Sequence, residues 1–460
     1  MPSQASKPSA TTDPRQTIGE QLRLLIHQRD YEAAKSLLIP VQPVDVADAI
    51  AGLPQPMQLV AFRLLPKGKA VEVYEDCSKA IQESLIAEFQ DQEILEVVNQ
   101  MAPDKRVSLF DELPPQIVRR ILPQLTPEER QATSLLLGYK PETAGRLMTP
   151  EYISLFDGLT VAEAAARIRT LACDREVSYY IYMTDDQHAL SGVASLRDLL
   201  LAEPEQRLAD VMDQTVVFAQ TDTDQEAVAR LIQRYDLVAL PIVDRERNLV
   251  GVVTVDDALD IVQAEATEDI YTMNAVQTEG ESYFQSSLLS VVRKRLPWLA
   301  ILLVTNSLTI FVMREFEEIL EEVVALAFFT PLLIDTGGSI GAQSSTVVIR
   351  GLSTDELKHR KPLWVVLRET FAGGLLGVLL GAAVIFLVFL VMGESALGIT
   401  VGVSLIFICV LAACIGASLP FMFEALHLDP AMMSAPFITT VVDILGIFIY
   451  LSLAKVMLGL

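Results

Sequence analysis

Basic residues are scarce in this chain. Its 35 Lys and Arg stand against 59 Asp and Glu, a net charge of −24. That balance argues against nucleic acid as a partner and against a basic membrane-docking face, and it suits a cationic ligand. Histidine is scarcer still. His27, His188, His359 and His427 form no HExxH pair, which excludes an intramembrane metalloprotease of that type. No P-loop occurs, so ATP-driven pumping is not expected, and the sequence points away from an enzyme. Cys77, Cys173, Cys409 and Cys414 show no CxxC spacing. They fit a reducing compartment, with neither disulfides nor a zinc site. The start, MPSQASKPSATTDPRQ, lacks an apolar stretch, so no cleavable signal peptide is expected.

Charge itself becomes rare in the second part of the chain. Residues 1–290 are polar and acidic, whereas 296–460 hold long uncharged runs. This reads as a soluble region followed by a membrane domain. The apolar spans fall near 296–313, 319–349, 364–392, 398–423 and 430–457, each long enough for a helix to cross the hydrocarbon core. Arg293, Lys294 and Arg295 precede the first span, and Arg350, Lys358, Arg360 and Lys361 separate the second from the third. The REFEE (314–318) and GESALG (393–398) loops carry one basic residue between them. Positive charge stays inside, which places the soluble region in the cytoplasm, the C-terminus outside and the protein in the cell membrane.

Within the soluble region, 17–146 show apolar residues at helical spacing, as in IGEQLRLLIHQ and AIQESLIAEF, with breaks at Pro54, Pro103, Pro114, Pro115 and Pro127. A recurring Leu-Pro signal at 53–54, 113–114 and 122–123 suggests helical hairpins stacked in a small superhelix. Residues 147–264 contain a repeat. LMTPEYISLFDGLTVAEAAARI…GVASLRDLLL answers VMDQTVVFAQTDTDQEAVARLI…GVVTVDDALDIV, aligning Met148 with Met212 and Gly192 with Gly251. Each copy reads strand, helix, two strands, helix. Two such units suggest halves packed about a pseudo-two-fold axis. Residues 265–295 form an acidic linker ending in the amphipathic SSLLSVVRKR.

Four features carry chemistry. Asp443 lies alone in the fifth span. A carboxylate at the centre of a membrane helix costs roughly 2.5–3.5 kcal/mol on insertion scales, so it faces either an ion path or a hydrogen-bonding neighbour. PLLIDTGGSIGAQSSTVV (331–348) is rich in small and polar residues with an acid at Asp335, which suits close packing or a water-filled path. Ser434, Pro436, Thr439 and Thr440 add oxygens to the fifth span, and Pro436 should free an upstream carbonyl. Such oxygen donors suit a hard cation. Gly373, Gly377 and Gly381 make a GxxxGxxxG face, expected to pack against another helix. Finally, 248–292 hold eight acids and no Lys or Arg: Asp256, Asp257, Asp260, Glu265, Glu268, Asp269, Glu279 and Glu281. This is either a solvated acidic face or a cation sensor.

The repeat, with its GVASL and GVVTV strand ends, resembles a tandem CBS (Bateman) module. The layout over about 20–457 resembles the MgtE family of magnesium channels and transporters, through LMTPEY, TDTDQEAVARL, VTVDDALDIVQAEATEDI, ALAFFTPLLIDTGGSIGAQSSTVVIRGL and DPAMMSAPFITTVVDILGIFIYLSLA. The fold this implies is multi-domain. An all-α superhelical N domain (17–146), an α/β tandem CBS pair (147–264), a linker and plug helix (265–295) and an α-helical membrane domain with five transmembrane helices (296–460) follow one another. The resemblance also implies a homodimer with its pore on the two-fold axis, closed when cytosolic Mg2+ is high. It puts the pore carboxylate at Asp443, beside Thr439, Thr440, Ser339 and Asp335, and sensor acids at Asp104, Asp224, Glu226, Asp236, Asp257, Asp260, Glu265, Glu268 and Asp269. Some members bind ATP at the CBS module, which would involve Tyr180, Arg197 and Asp198.

The chain departs from the family pattern in places. Ser339 stands for an Asn in GGNxGxQ, Ala435 for an Asn before the fifth-span proline, and Asp335 for a frequent Gly. These changes predict weaker discrimination among divalent cations. In the N domain Asp104 is present, but Ser108 replaces the second of two acids four apart. Alternative readings are a Co2+ or Mn2+ transporter, an ion-coupled Mg2+ exchanger, or a CBS nucleotide sensor that scaffolds membrane partners.

Overall fold

A computed structural model describes residues 14–88, 91–171, 177–274, 276, 288–354, 356–357, 360–426, 428–430 and 435–459. Cys173, Glu279, Glu281, Lys358, His359, His427 and Ser434 lie outside the described residues. The chain divides into two compact units, Met1–Ala264 and Glu265–Leu460.

The first unit opens with ten described α-helices, α1 (Pro14–His27) through α10 (Pro127–Leu137), among them α8 (Pro103–Glu112). The prolines act as start signals. Pro103, Pro115 and Pro127 occupy the first helical position, and Pro54 and Pro114 sit just before it. A first-turn residue needs no backbone donor, so proline stabilises the start it marks. The apolar stripes close on one core that includes Leu22, Leu38, Ile50, Phe62, Tyr74, Leu85 and Phe110.

The repeat follows as α11 (Ala144–Leu147), β1 (Tyr152–Phe156), α12 (Val161–Leu171), β2 (Val177–Thr184), β3 (Leu190–Ser195) and α13 (Leu196–Leu201). The second copy is α14 (Leu208–Val211), β4 (Ala219–Gln220), α15 (Gln225–Tyr235), β5 (Ala239–Val243), β6 (Leu249–Thr254) and α16 (Val255–Met273). Each copy builds a three-stranded sheet in which the first two strands are parallel and the last two antiparallel. The aligned pairs are exchanged between copies. A Cβ at Gly251 would come within 2.6 Å of the Met148 side chain, and one at Gly192 within 2.7 Å of Met212. Backbone bridges Thr149–Val252 and Val193–Asp213 repeat the exchange. Glycine is required at both positions because each copy's leading methionine lies on the other copy's strand.

The second unit holds five helices long and apolar enough to span a membrane: α17 (Leu288–Glu315), α19 (Ala325–Ser353), α20 (Pro362–Met392), α21 (Ser395–Ala425) and α22 (Ala435–Leu458), with a short α18 (Glu317–Glu322) after the first. Two boundaries correct the sequence reading. The second span does not begin at 319, because the acidic α18 is a separate helix and α19 starts at Ala325. The described part of the linker helix is not separate but continues through Pro297 into the first span as α17. The GxxxGxxxG face packs α20 on α21: a Cβ at Gly373 would stand 2.8 Å from the Cys409 carbonyl oxygen, and one at Gly381 2.7 Å from that of Gly402. In lipid, such close contact replaces the hydrophobic drive that water supplies. Helices α19 and α22 run antiparallel: Gly338 abuts Thr439, and the Tyr450 hydroxyl donates to the Leu326 carbonyl at 3.0 Å. Cys77, Cys409 and Cys414 are free thiols.

Candidate ion path and cation-sensing acids

The antiparallel register of α19 and α22 sets the candidate path. Asp335, Ser339 and Gln343 recur every fourth residue on α19, and all three are exposed in the single chain. Thr439 and Asp443, also four apart, are half-buried on α22. Residues four apart share a helix face, so each helix brings one polar stripe to this seam. Asp335 lies within electrostatic reach of Asp443. Among the described residues, the buried Asp443 Oδ1 has no hydrogen-bond partner. Thr440 is not on the stripe. It is buried, and its hydroxyl donates to the Pro436 carbonyl at 2.9 Å, as does that of Thr439. Pro436 is the second described residue of α22, and residues 431–434 ahead of it lie outside the described residues.

The acids named for sensing are spread over several elements. Asp224 caps α15 by accepting from the Glu226 N–H at 2.9 Å, and Glu226 pairs with Arg230. Asp236 closes the same helix in a left-handed conformation, φ 51°. At ~1.5 Å rise per residue the two ends lie about 18 Å apart, too far to share one ion within a chain. Asp257, Asp260, Glu265, Glu268 and Asp269 ride on α16, where Asp260 and Glu268 are exposed. Asp257 is already engaged on both oxygens. Oδ1 accepts from Lys105 Nζ at 2.6 Å and Oδ2 from the Thr254 hydroxyl at 2.8 Å. Asp104, next to Lys105 on α8, is 7% exposed. Among the described residues, no three His, Cys, Asp or Glu side chains converge to hold a metal. The carboxylates fit a hard divalent cation by donor type, and at Asp257 such an ion would compete with the Lys105 ammonium.

In the first CBS copy, Tyr180 on β2 pairs in register with Ser195, the residue that caps α13. Arg197 and Asp198 follow in the first turn, so the three residues named for a nucleotide share one end of the sheet. Asp198 also has a structural task. Its Oδ2 accepts from the Ser195 hydroxyl at 2.6 Å and the Ser195 N–H at 3.0 Å, completing a capping box. Those two bonds, the hydroxyl's first, hold its carboxyl below the usual range.

Sequence reasoning missed Lys105, Arg106 and Gln343. Gln343 was legible as the third member of the 335/339 stripe. Lys105 and Arg106 sit beside Asp104, but nothing in their spacing told that one reaches the second CBS copy and the other enters the core.

Residues 330–453 match the MgtE family, described as divalent cation transporters; 41–142 match the MgtE intracellular N domain, and 144–205 and 208–264 the CBS domain. The magnesium transporter MgtE of Thermus thermophilus is 38% identical over 96% of this chain and 98% of its own length. That of Bacillus subtilis is 32% identical over 94% and 96%. Among solved structures, the cytosolic domain of the Mg2+ channel MgtE in complex with ATP aligns over 53% of this chain and 99% of its own, with 36% identity and a TM-score of 0.51. With an N domain, a CBS pair and a membrane region all matched in this order, the chain belongs to the MgtE family of divalent cation transporters.

Proposed function

We propose that the chain is a Mg2+ channel or transporter that works as a homodimer and is regulated by cytosolic Mg2+. The observation that carries this reading is the buried Oδ1 of Asp443, without a hydrogen-bond partner among the described residues, with Asp335 of the exposed Asp335, Ser339 and Gln343 stripe in electrostatic reach. Lipid cannot cover such a stripe without large cost, whereas a second copy can, closing a polar path between two chains. Helix α17 supports the same reading, since none of its residues is buried in the single chain. Two Asp443 carboxylates facing one another would attract a divalent ion that keeps most of its water, the coordination Mg2+ prefers.

Regulation follows from the acids of α15 and α16. At low Mg2+ their like charges repel, by about 1–4 kcal/mol per pair at ~4 Å for effective dielectrics of 80 to 20. Several such pairs suffice to bias a two-state gate. The soluble unit is cytoplasmic and the C-terminus external, because Arg293, Arg295, Arg350, Arg360 and Lys361 mark one set of helix ends and Glu315, Glu317, Glu318, Glu321, Glu322 and Glu394 the other. ATP binds at the Tyr180, Arg197 and Asp198 end of the first CBS copy.

Purified protein in liposomes, with Mg2+-sensitive dye inside and graded Mg2+ on the soluble-domain side, tests the reading. Mg2+ entry that falls as that side is loaded supports it; absence of any divalent flux leaves the nucleotide-sensor scaffold in its place. Competition by Co2+ and Mn2+ decides the cargo.

A further inference from the structure

The seam between the helical domain and the second CBS copy, both in the first unit, is apolar at its centre. Val107 of α8 and Leu136 of α10, 1% and 0% exposed, share one core cluster with Val228, Ile232, Leu240, Val253 and Ile261. Next to it, backbone bonds tie α11 of the first CBS copy to the second, from the Ala144 N–H to the Thr223 carbonyl at 2.8 Å and from Gly145 to Thr221 at 2.9 Å. Carboxylates flank this seam: Glu75, Asp76, Asp104, Asp256 and Asp257 all act on Lys105 or are acted on by it. Burial alone would lower the lysine's affinity for its proton. The charge and hydrogen bond of Asp257, joined by Asp104 and Asp256, outweigh burial and hold the ammonium form above its ordinary range. At the other end of α8, Arg146 of α11 grips Asp111 through two guanidinium nitrogens, one at 2.9 Å, and also donates to the carbonyls of Leu136 and Tyr139.

We infer that Lys105 is a resident cation which clamps the helical domain to the second CBS copy, so that this seam stays closed without a divalent ion. Both Asp257 oxygens already accept a hydrogen bond, from Lys105 at 2.6 Å and from Thr254 at 2.8 Å, and the lysine brings its own positive charge to the carboxylate a divalent ion would need. A bound Mg2+ would have to displace an ammonium that is two-thirds shielded, with 33% of its side chain exposed against 15% for Asp257. Position 108 agrees: the seam has an exposed Ser108 one turn beyond Asp104 and a lysine beside it. An ammonium tethered by its own chain needs no concentration to bind, so the seam does not titrate with Mg2+. The acids further along α16, from Asp260 to Asp269, are outside this clamp. The clamp itself is independent of flux; its consequence for gating rests on the Mg2+-channel reading above.

Hydrogen exchange on the full-length protein in nanodiscs, in chelator and in millimolar Mg2+, tests this. The wild type should protect 103–111 and 252–258 to within about twofold in both conditions. Lys105→Gln should exchange about tenfold faster there in chelator and recover in Mg2+, as the freed Asp257 accepts the ion; Lys105→Arg should behave as wild type. Opening of the wild-type seam in chelator overturns the inference, and so does a Lys105→Gln seam as protected as the wild type. Should Lys105→Gln fail to fold, the wild-type comparison decides alone. Residues 265–273 serve as the internal reference. If Mg2+ changes their exchange in none of the proteins, it is the Mg2+-sensing reading that fails, while the clamp stands or falls on its own segments.

Discussion

Two buried charges, one in each unit, have opposite surroundings. Arg106 is 0% exposed, yet it is satisfied by its own chain. Nε donates to the Val98 carbonyl at 2.7 Å, Nη1 to the Thr133 hydroxyl at 3.0 Å and to Glu129 Oε2 at 2.5 Å, and Nη2 to the Met101 carbonyl at 2.6 Å. Asp443 has a buried oxygen with no hydrogen-bond partner among the described residues. A buried charge is tolerated when paired and hydrogen-bonded. Where the chain supplies every partner, the charge is architecture. Where the described residues leave one out, in a membrane helix beside a polar stripe, the site is open to a partner from elsewhere, and in the proposed function that partner is the transported cation.

The comparison breaks first at Asp443. Asp443→Ala should cut Mg2+ flux in liposomes on the order of a hundredfold, some 2.7 kcal/mol, while size-exclusion profile and helicity stay those of the wild type. Retained flux in a folded variant would mean that Asp443 is held by a neighbouring helix and is architecture too.

Arg106 should fail in the other way. Arg106→Met leaves the carbonyls of Val98 and Met101 and the Glu129 carboxylate without their donor, and removing one partner of a buried pair costs about 3–5 kcal/mol. The urea midpoint of the soluble unit should fall accordingly. Mg2+ flux through protein that remains folded should persist. A stability loss below 1 kcal/mol would show that water replaces the guanidinium and that the site is less closed than it looks.

The two charges were not equally legible. Asp443 stood out because the sequence around it is apolar for a full helix, so one acid is a large departure from the pattern. Arg106 stood in RVSLFDEL beside other charges, and its burial depends on the carbonyls of 98–101 and on Thr133, partners brought in by tertiary packing. The repeat was legible through Met148/Met212 and Gly192/Gly251, although their exchange between copies needed coordinates. Lys105 was not legible because nothing in the spacing of PDKRVS shows that its side chain crosses to Asp257 of the second CBS copy.

A smaller effect is expected where the stripe departs from the family pattern. Asp335 adds negative charge near Asp443 without discriminating ions by size, and Ser339 offers a hydroxyl where an amide could orient the ion's water. Replacing both, Asp335→Gly with Ser339→Asn, should weaken Ca2+ and Mn2+ competition against Mg2+ flux by about five- to tenfold, roughly 1–1.4 kcal/mol of differential binding. Unchanged competition constants would remove these positions from the filter and leave Asp443 to act alone.

The smallest effect is expected at Asp198, a charge for which both roles are open. Its Oδ2 is committed to the capping box, and the Ser195 bonds that depress its carboxyl stabilise the fold above the ordinary carboxylate range, a contribution lost as pH falls through the depressed value. Ser195→Ala removes the hydroxyl but not the carboxylate. It should cost the soluble unit about 1 kcal/mol near neutral pH, the usual penalty for a lost N-cap, and narrow the gap between neutral and acid stability. ATP affinity, by calorimetry, should change less than about twofold, 0.4 kcal/mol, since Arg197 and the free oxygen of Asp198 remain. Loss of ATP binding without loss of stability would reverse the assignment, making the Ser195–Asp198 pair part of the nucleotide site and not of the helix cap.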